Sequence, residues 1–209
     1  MNYTMNNLER RQYHDHANIV YLSSVIVVSL LLPLIISLGN LMMILTYSAG
    51  LLASLIAYLL NRKFNYSLAA AIFITVMAIQ SSLEIVSFER YTGFSFYFFN
   101  LAGLIIFTSW KGIHKVLAIL AMTSLFIASM LYAMNTAPVI LLSPEFVAFF
   151  LILNIILNIF GVSNSANFYV RITRQAHHQL ERAAMTDFLT NLPNRIAFEH
   201  FITSDQFHQ

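Results

Sequence analysis

Between residues 17 and 162 this chain carries only eight charged residues in 146 positions, whereas the sixteen residues before that stretch carry four and the 47 after it carry eight. A soluble domain is about one quarter charged, so the middle of the chain cannot dissolve in water as an ordinary globule. Its length is several times the roughly 20 apolar residues that one bilayer crossing takes. The solvent it is built for is a membrane. With 18 Phe and 10 Tyr the chain is the reverse of a disordered polymer. The absence of Cys excludes disulfides, thiolate metal sites and thiol redox chemistry. A net charge of +2 leaves no footprint for nucleic acid, and no nucleic-acid partner is expected.

Apolar runs between polar breaks give six segments, at residues 17–36, 41–60, 66–88, 94–110, 116–134 and 146–162. The expected fold is an all-α integral membrane protein with a six-helix transmembrane bundle, preceded by a solvated arm at 1–16 that includes His14 and His16. Short cytoplasmic loops collect Lys and Arg. With the N-terminus inside, the inner segments hold Arg10, Arg11, Arg62, Lys63, Lys111, Lys115, Arg171, Arg174, Arg182 and Arg195, and only Arg90 lies outside. Both termini are therefore expected in the cytoplasm, with the first span an uncleaved anchor and no signal peptide.

Membrane helices associate through close packing of small residues. Ala49, Ala53 and Ala57 beside Gly50 and Ser54, and Ala121, Ser124 and Ala128 on the fifth segment, are the expected seams. Polar residues at depth carry more information, because an ionised side chain at a span centre costs about 2.5 to 3.5 kcal/mol on insertion scales. Glu84 is the one acid inside a predicted span, and it shares a helix face with Gln80. With Arg90 and Glu145 at the same outer level, these residues form a candidate sensory pocket; the plainer readings are that Glu84 reaches interfacial water or pairs with Arg90. Asn154 and Asn158, one turn apart on the sixth segment, are candidate inter-helix polar contacts, within one bundle or across a two-fold axis. No His falls inside a span, and no metal site is expected.

After residue 162 the composition changes. Gly161 and Asn164 are places where the membrane helix could end, but residues 165–186 hold no Gly or Pro and are rich in helix formers. Tyr169, Ile172, Ala176, Leu180 and Ala183 are spaced near a heptad with a stutter, the pattern of a two-stranded parallel coil, the alternative being a short amphipathic linker lying on the membrane surface. Residues 163–186 are thus expected to form a signalling helix. Asp187 then ends it, Leu189 and Leu192 anchor a turn, Pro193 and Asn194 break it, and a new helix starts after Asn194.

Asp187, Leu189, Thr190, Leu192, Pro193, Asn194, Arg195 and Phe198 follow the pattern D-x-L-T-G-L-P-N-R-R-x-F, which resembles the entry of the GGDEF domain of diguanylate cyclases. Asn191 stands where that family usually has Gly, and Ile196 where it usually has a second Arg. The six-segment part resembles, by span number and context, the membrane-associated sensor domains of MASE type found ahead of such cyclases. The resemblance implies a bacterial inner-membrane protein that divides into an arm at 1–16, a sensor at 17–162, a signalling helix at 163–186 and the N-terminal fragment of an α/β GGDEF domain at 187–209. It implies a homodimer through the sixth span and signalling helix, a small-molecule or membrane stimulus, and cyclic di-GMP made from two GTP with Mg²⁺ by the full-length enzyme. The metal-binding carboxylates and the GG[DE]EF signature lie further along that family's domain than Gln209, so no catalytic residue and no cofactor site is expected in this chain. A different output domain, a histidine kinase or another nucleotidyl cyclase, would suit the same layout, and a small transporter subunit would suit the bundle alone.

Overall fold

A computed structural model of the chain describes residues 7–186, 192–195 and 197, with side chains left undescribed at 7–13, 182 and 183. The helices are α1 (Asn7–Ser37), α2 (Leu41–Arg62), α3 (Tyr66–Ser87), α4 (Tyr97–Phe107), α5 (Gly112–Asn135) and α6 (Pro144–Met185). Among the described residues there is no strand. Five of these helices, all but α4, are long and apolar enough to cross a bilayer. Those are the dimensions of a multi-pass membrane protein.

Polar residues end the helices where the sequence breaks. Asn40 caps α2 by accepting from Met43 N at 3.1 Å. Gly39, at φ +70°, supplies the left-handed residue that lets α1 turn into α2 within three residues. The fourth apolar segment differs most from expectation. Only 11 of its residues are α-helical, about 16 Å at 1.5 Å per residue, against the roughly 30 Å of a bilayer core. It enters through two 3₁₀ turns, Arg90–Thr92 and Phe94–Phe96, joined at Gly93 (φ +84°), and it leaves α4 in extended backbone at Thr108. Even so, it runs the length of α3. Phe94 stacks on Phe88 just past the end of α3, with ring centroids 5.2 Å apart. Trp110 Nε1 donates to the carbonyl of Ser67 at the start of α3, at 3.3 Å.

The same kind of pairing fixes the direction of the other segments. Ser24 meets Ser54 between α1 and α2 at 2.9 Å. Ile140 N, beyond α5, donates to Ser87 O at 2.8 Å, and Asn154 of α6 reaches Thr92. Ten residues further along α6, Asn164 lies 3.4 Å from His16 on α1. Successive segments therefore alternate in direction. α2 presents Met43, Tyr47, Gly50, Ser54, Ala57 and Asn61 to the interior, buried at steps of four and three, which is the narrow stripe of a close helix contact. Ala49, expected in that seam, is exposed, as are Ala121, Ser124 and Ala128 on α5, where Met122 and Ser129 are the buried residues.

One further expectation needs correction. Helix α1 begins at Asn7, and His14 and His16 are not part of a solvated arm. His14 Nδ1 donates to Asn61 O at 3.1 Å and its Nε2 accepts from Asn18 at 2.9 Å, while Asn61 Nδ2 donates to His14 O and Asn18 Oδ1. The last turn of α2 sets Asn61 against α1, and His16 is buried, 6.0 Å from the Phe107 ring. The helix expected after residue 162 is present: neither Gly161 nor Asn164 ends α6, which continues unbroken to Met185. Gly161 instead permits close approach, because a Cβ there would stand 2.6 Å from the Asn100 amide oxygen.

The chain divides into two compact units, Met1–Ser165 and Ala166–Gln209. In the second, His177 and His178 each lie 3.1 Å from Glu181 on the surface of α6. Thr186 and Pro193 form an isolated antiparallel bridge. Asn194 folds back onto the helix end, its N bonding Met185 O at 2.9 Å and its Nδ2 Ala184 O at 2.6 Å. Its Oδ1 accepts from Ala197 N at 3.1 Å, the bond of a helix N-cap. Leu192 and Pro193 are exposed beside it, as is Arg195. Asp187, Leu189, Thr190 and Phe198 lie outside the described residues.

Candidate ligand cavity within the helical bundle

Unit Met1–Ser165 holds a cavity of about 340 Å³ walled by α1, α2, α3, α4 and α6 and by Phe94. That volume is within the range of small-molecule sites, about 300 to 1,000 Å³. Most of the wall is apolar, from Val27 and Leu31 on α1 to Phe73 and Met77 on α3 and Leu101 and Leu104 on α4.

Its polar end is built on α3. Gln80 and Glu84 are four residues apart, hence neighbours on one helix face, and Gln80 Nε2 donates to Glu84 Oε1 at 3.0 Å. Both are buried, Glu84 being only 2% exposed. The Tyr47 hydroxyl of α2 faces the same carboxyl group. Gly50, one turn along α2, makes room for this pair: a Cβ at that position would overlap Gln80 Oε1. Ser54 donates to Gly50 O at 2.8 Å, so the proton between Ser24 and Ser54 comes from Ser24.

A second polar chain runs along α6. Tyr97 OH donates to Asn154 Oδ1 at 2.8 Å, and Asn154 Nδ2 donates to Thr92 O at 2.8 Å. Asn158 donates to Asn154 O at 2.7 Å and accepts from Asn100. Both amides thus have partners inside their own chain, on α4 and the turn before it.

Of the four residues grouped by the sequence, the structure brings Gln80 and Glu84 together and leaves Arg90 and Glu145 outside. The turn after α3 sends the Thr92 backbone inward to Asn154, while Arg90 is exposed with its guanidinium 5.7 Å over the Tyr91 ring. Glu145 is exposed in the first turn of α6. Phe88, Phe94 and Phe150 form a buried aromatic cluster at this end, with centroids 5.2 to 5.7 Å apart. Glu84 therefore neither reaches an exposed rim nor pairs with Arg90. Sequence reasoning missed Tyr47, Tyr97 and Asn100. The signal for Tyr47 was present in the four-and-three spacing of Met43, Tyr47, Gly50 and Ser54, but nothing in the sequence separates Tyr97 or Asn100 from ordinary packing residues.

Chemically the cavity offers hydrogen bonds in an apolar slot. Among the described residues no Lys, Arg or His lines it, and none of its nucleophiles is paired with a histidine base. Among the described residues no three His, Asp or Glu converge as a metal set. The arrangement suits holding a ligand. Comparison with protein-family models, curated proteins and solved structures returns no match.

Proposed function

We propose that this chain is the membrane sensor and transmission part of a diguanylate cyclase, crossing a bacterial inner membrane six times with both termini in the cytoplasm and working as a homodimer. The observation that carries the reading is the continuity of α6, which runs from the bundle to Met185 and ends where the D-x-L-T-x-L-P-N-R sequence begins. The capping role of Asn194 adds support, since the first helix of the GGDEF domain would start at that residue. Six crossings are supported by residues 94–110 reaching both ends of α3 despite their short helix. The homodimer is supported by Tyr169 and Leu180, apolar and 61% and 69% exposed on the outer part of α6, an apolar stripe that a parallel coil would cover.

In this mechanism a stimulus binds between the helices and favours one of two packings of the bundle. Helix α6 carries the difference, by rotation or register, to the turn at Asp187 and Arg195. The paired GGDEF domains then meet or separate, and with GTP and Mg²⁺ bound they make cyclic di-GMP only when they meet.

The coding sequence past Gln209 should contain a GG[DE]EF stretch, and membranes carrying the extended protein should convert GTP to cyclic di-GMP. Extended protein that yields no cyclic di-GMP and lacks that stretch would overturn the cyclase reading in favour of another output or of transport. Cysteines placed at Ile172 and at Ala183 should cross-link between chains in membranes; absence of cross-linking at both sites removes the dimeric coil.

A further inference from the structure

We propose that the cavity beside Glu84 takes, from the lipid phase, a single-chain amphiphile whose head donates hydrogen bonds, a hydroxyl or an amine. Three independent features of the cavity lead there. It is long and narrow: its lining on α1 runs from Val20 to Leu31, about 16 Å along the helix. That shape fits an extended chain better than a compact solute.

It also opens sideways. Ile26 on α1 and Phe160 on α6 both line the cavity and are 52% and 55% exposed, so its mouth is a gap between those two helices. The outward faces of both helices carry large apolar side chains such as Leu30 and Ile156. In a membrane those faces meet hydrocarbon, so the gap opens onto lipid tails and the entering molecule is one dissolved among them.

The polar end selects the head. Among the described residues Gln80 Oε1 is buried with no hydrogen-bond partner, and the Glu84 carboxyl stands beside it with no cationic side chain in the wall. A buried acceptor without a donor is costly, and a donor from a ligand relieves that cost. A carboxylate or phosphate head would instead bring a negatively charged acceptor against Gln80 Oε1 and the Glu84 carboxyl, with no cationic side chain in the wall to neutralise it. The wall therefore favours a long-chain alcohol or amine over an anionic lipid or a fatty acid.

The inference deepens the sensor reading and rests on it for the consequence of binding, but occupancy can be read without any cyclase output. The full chain in lipid nanodiscs would be irradiated with three probes that share one diazirine-bearing alkyl chain and end in an amine, a hydroxyl or a carboxylate. Labelled residues would be mapped by mass spectrometry. The amine and alcohol should label the stretch around Val27, Leu104 and Leu157 at least tenfold more than the acid does. Leu104→Trp, which fills the slot, should lower that labelling about tenfold. Glu84→Gln, which keeps the shape, should lower it for the amine far more than for the alcohol and so tests the site even if the Trp variant does not fold. Equal labelling by the acid, or labelling confined to outward residues such as Leu30 and Ile156, overturns the proposal. A labelled cavity combined with cyclic di-GMP output indifferent to the alcohol would remove the sensor reading and leave the site standing.

Discussion

Helices α3 and α5 are of nearly equal length, 22 and 24 residues, and both are apolar enough to span a bilayer, yet the structure treats them oppositely. In the most apolar stretch of α3, 56% of residues are buried; in that of α5, 11% are. The buried helix is the one with the serines, the glutamine and the glutamate, and the exposed one carries Leu117, Leu120, Ile127 and Leu131 outward. In water the order would be reversed. Lipid tails solvate Leu as well as a protein core does, so interior places go to residues that pack closely or need hydrogen-bond partners.

Paired substitutions test that contrast, with stability followed by circular dichroism during transfer from mild detergent to SDS. Phe73 on α3 is 4% exposed and packs 4.9 Å from the Tyr21 ring; Phe73→Ala should cost about 3 kcal/mol or more, while Leu120→Ala on α5 should change stability by less than about 0.5 kcal/mol. Equal losses would break the comparison and show that another chain covers the outer face of α5. Next in size are two glycines. Gly50→Ala should cost about 1 to 3 kcal/mol by forcing Gln80 aside. Gly103→Ala on α4, where a Cβ meets nothing within 4 Å, should be neutral or gain up to about 1 kcal/mol of helix propensity. A gain at both positions would mean that Gln80 can swing away freely.

Smaller still, Asn61→Ala removes the bonds to His14 and Asn18 and should cost on the order of 1 kcal/mol, between the average of about 0.6 and the maximum of about 1.7 kcal/mol for interhelical polar contacts in membranes. Asn135→Ala loses only a bond to Leu131 O within its own helix end and should cost less than about 0.5 kcal/mol. The smallest structural effect is expected from Glu84→Gln, with stability within about 0.5 kcal/mol because the amide keeps the shape of the carboxyl. In the extended protein the same substitution should alter the stimulus dependence of cyclic di-GMP output. An unaltered response would separate the buried cluster from sensing.

Much of the helix layout was legible in the sequence. The breaks at Ser37 to Asn40 and at Asn61 to Asn65 place the end of α1, both ends of α2 and the start of α3 within two residues, because polar runs and a left-handed Gly interrupt the apolar text there. Half of the candidate pocket was legible too: Gln80 and Glu84 meet because they are one turn apart on a single helix. Arg90 and Glu145 were grouped with them by depth alone, and depth does not say which way a loop side chain points. The direction of Thr92, whose carbonyl binds Asn154, turned Arg90 outward. His14 and His16 look like a solvated arm in the sequence, since their partners Asn61 and Phe107 lie 47 and 91 residues away and no local pattern announces them.

The sequence by itself determined the solvent, the number of apolar segments, the charge asymmetry and the family resemblance at residues 187–198. Those properties follow from transfer energies and local order, which a one-dimensional pattern contains in full. Only the tertiary structure decided that the least apolar span lies innermost, that a short helix with two 3₁₀ turns reaches both ends of α3, and that Gly50 gives room to Gln80. These outcomes depend on which side chains meet across separate segments, and among lipid tails that choice is made by fit and hydrogen bonding, with hydrophobicity nearly indifferent to it.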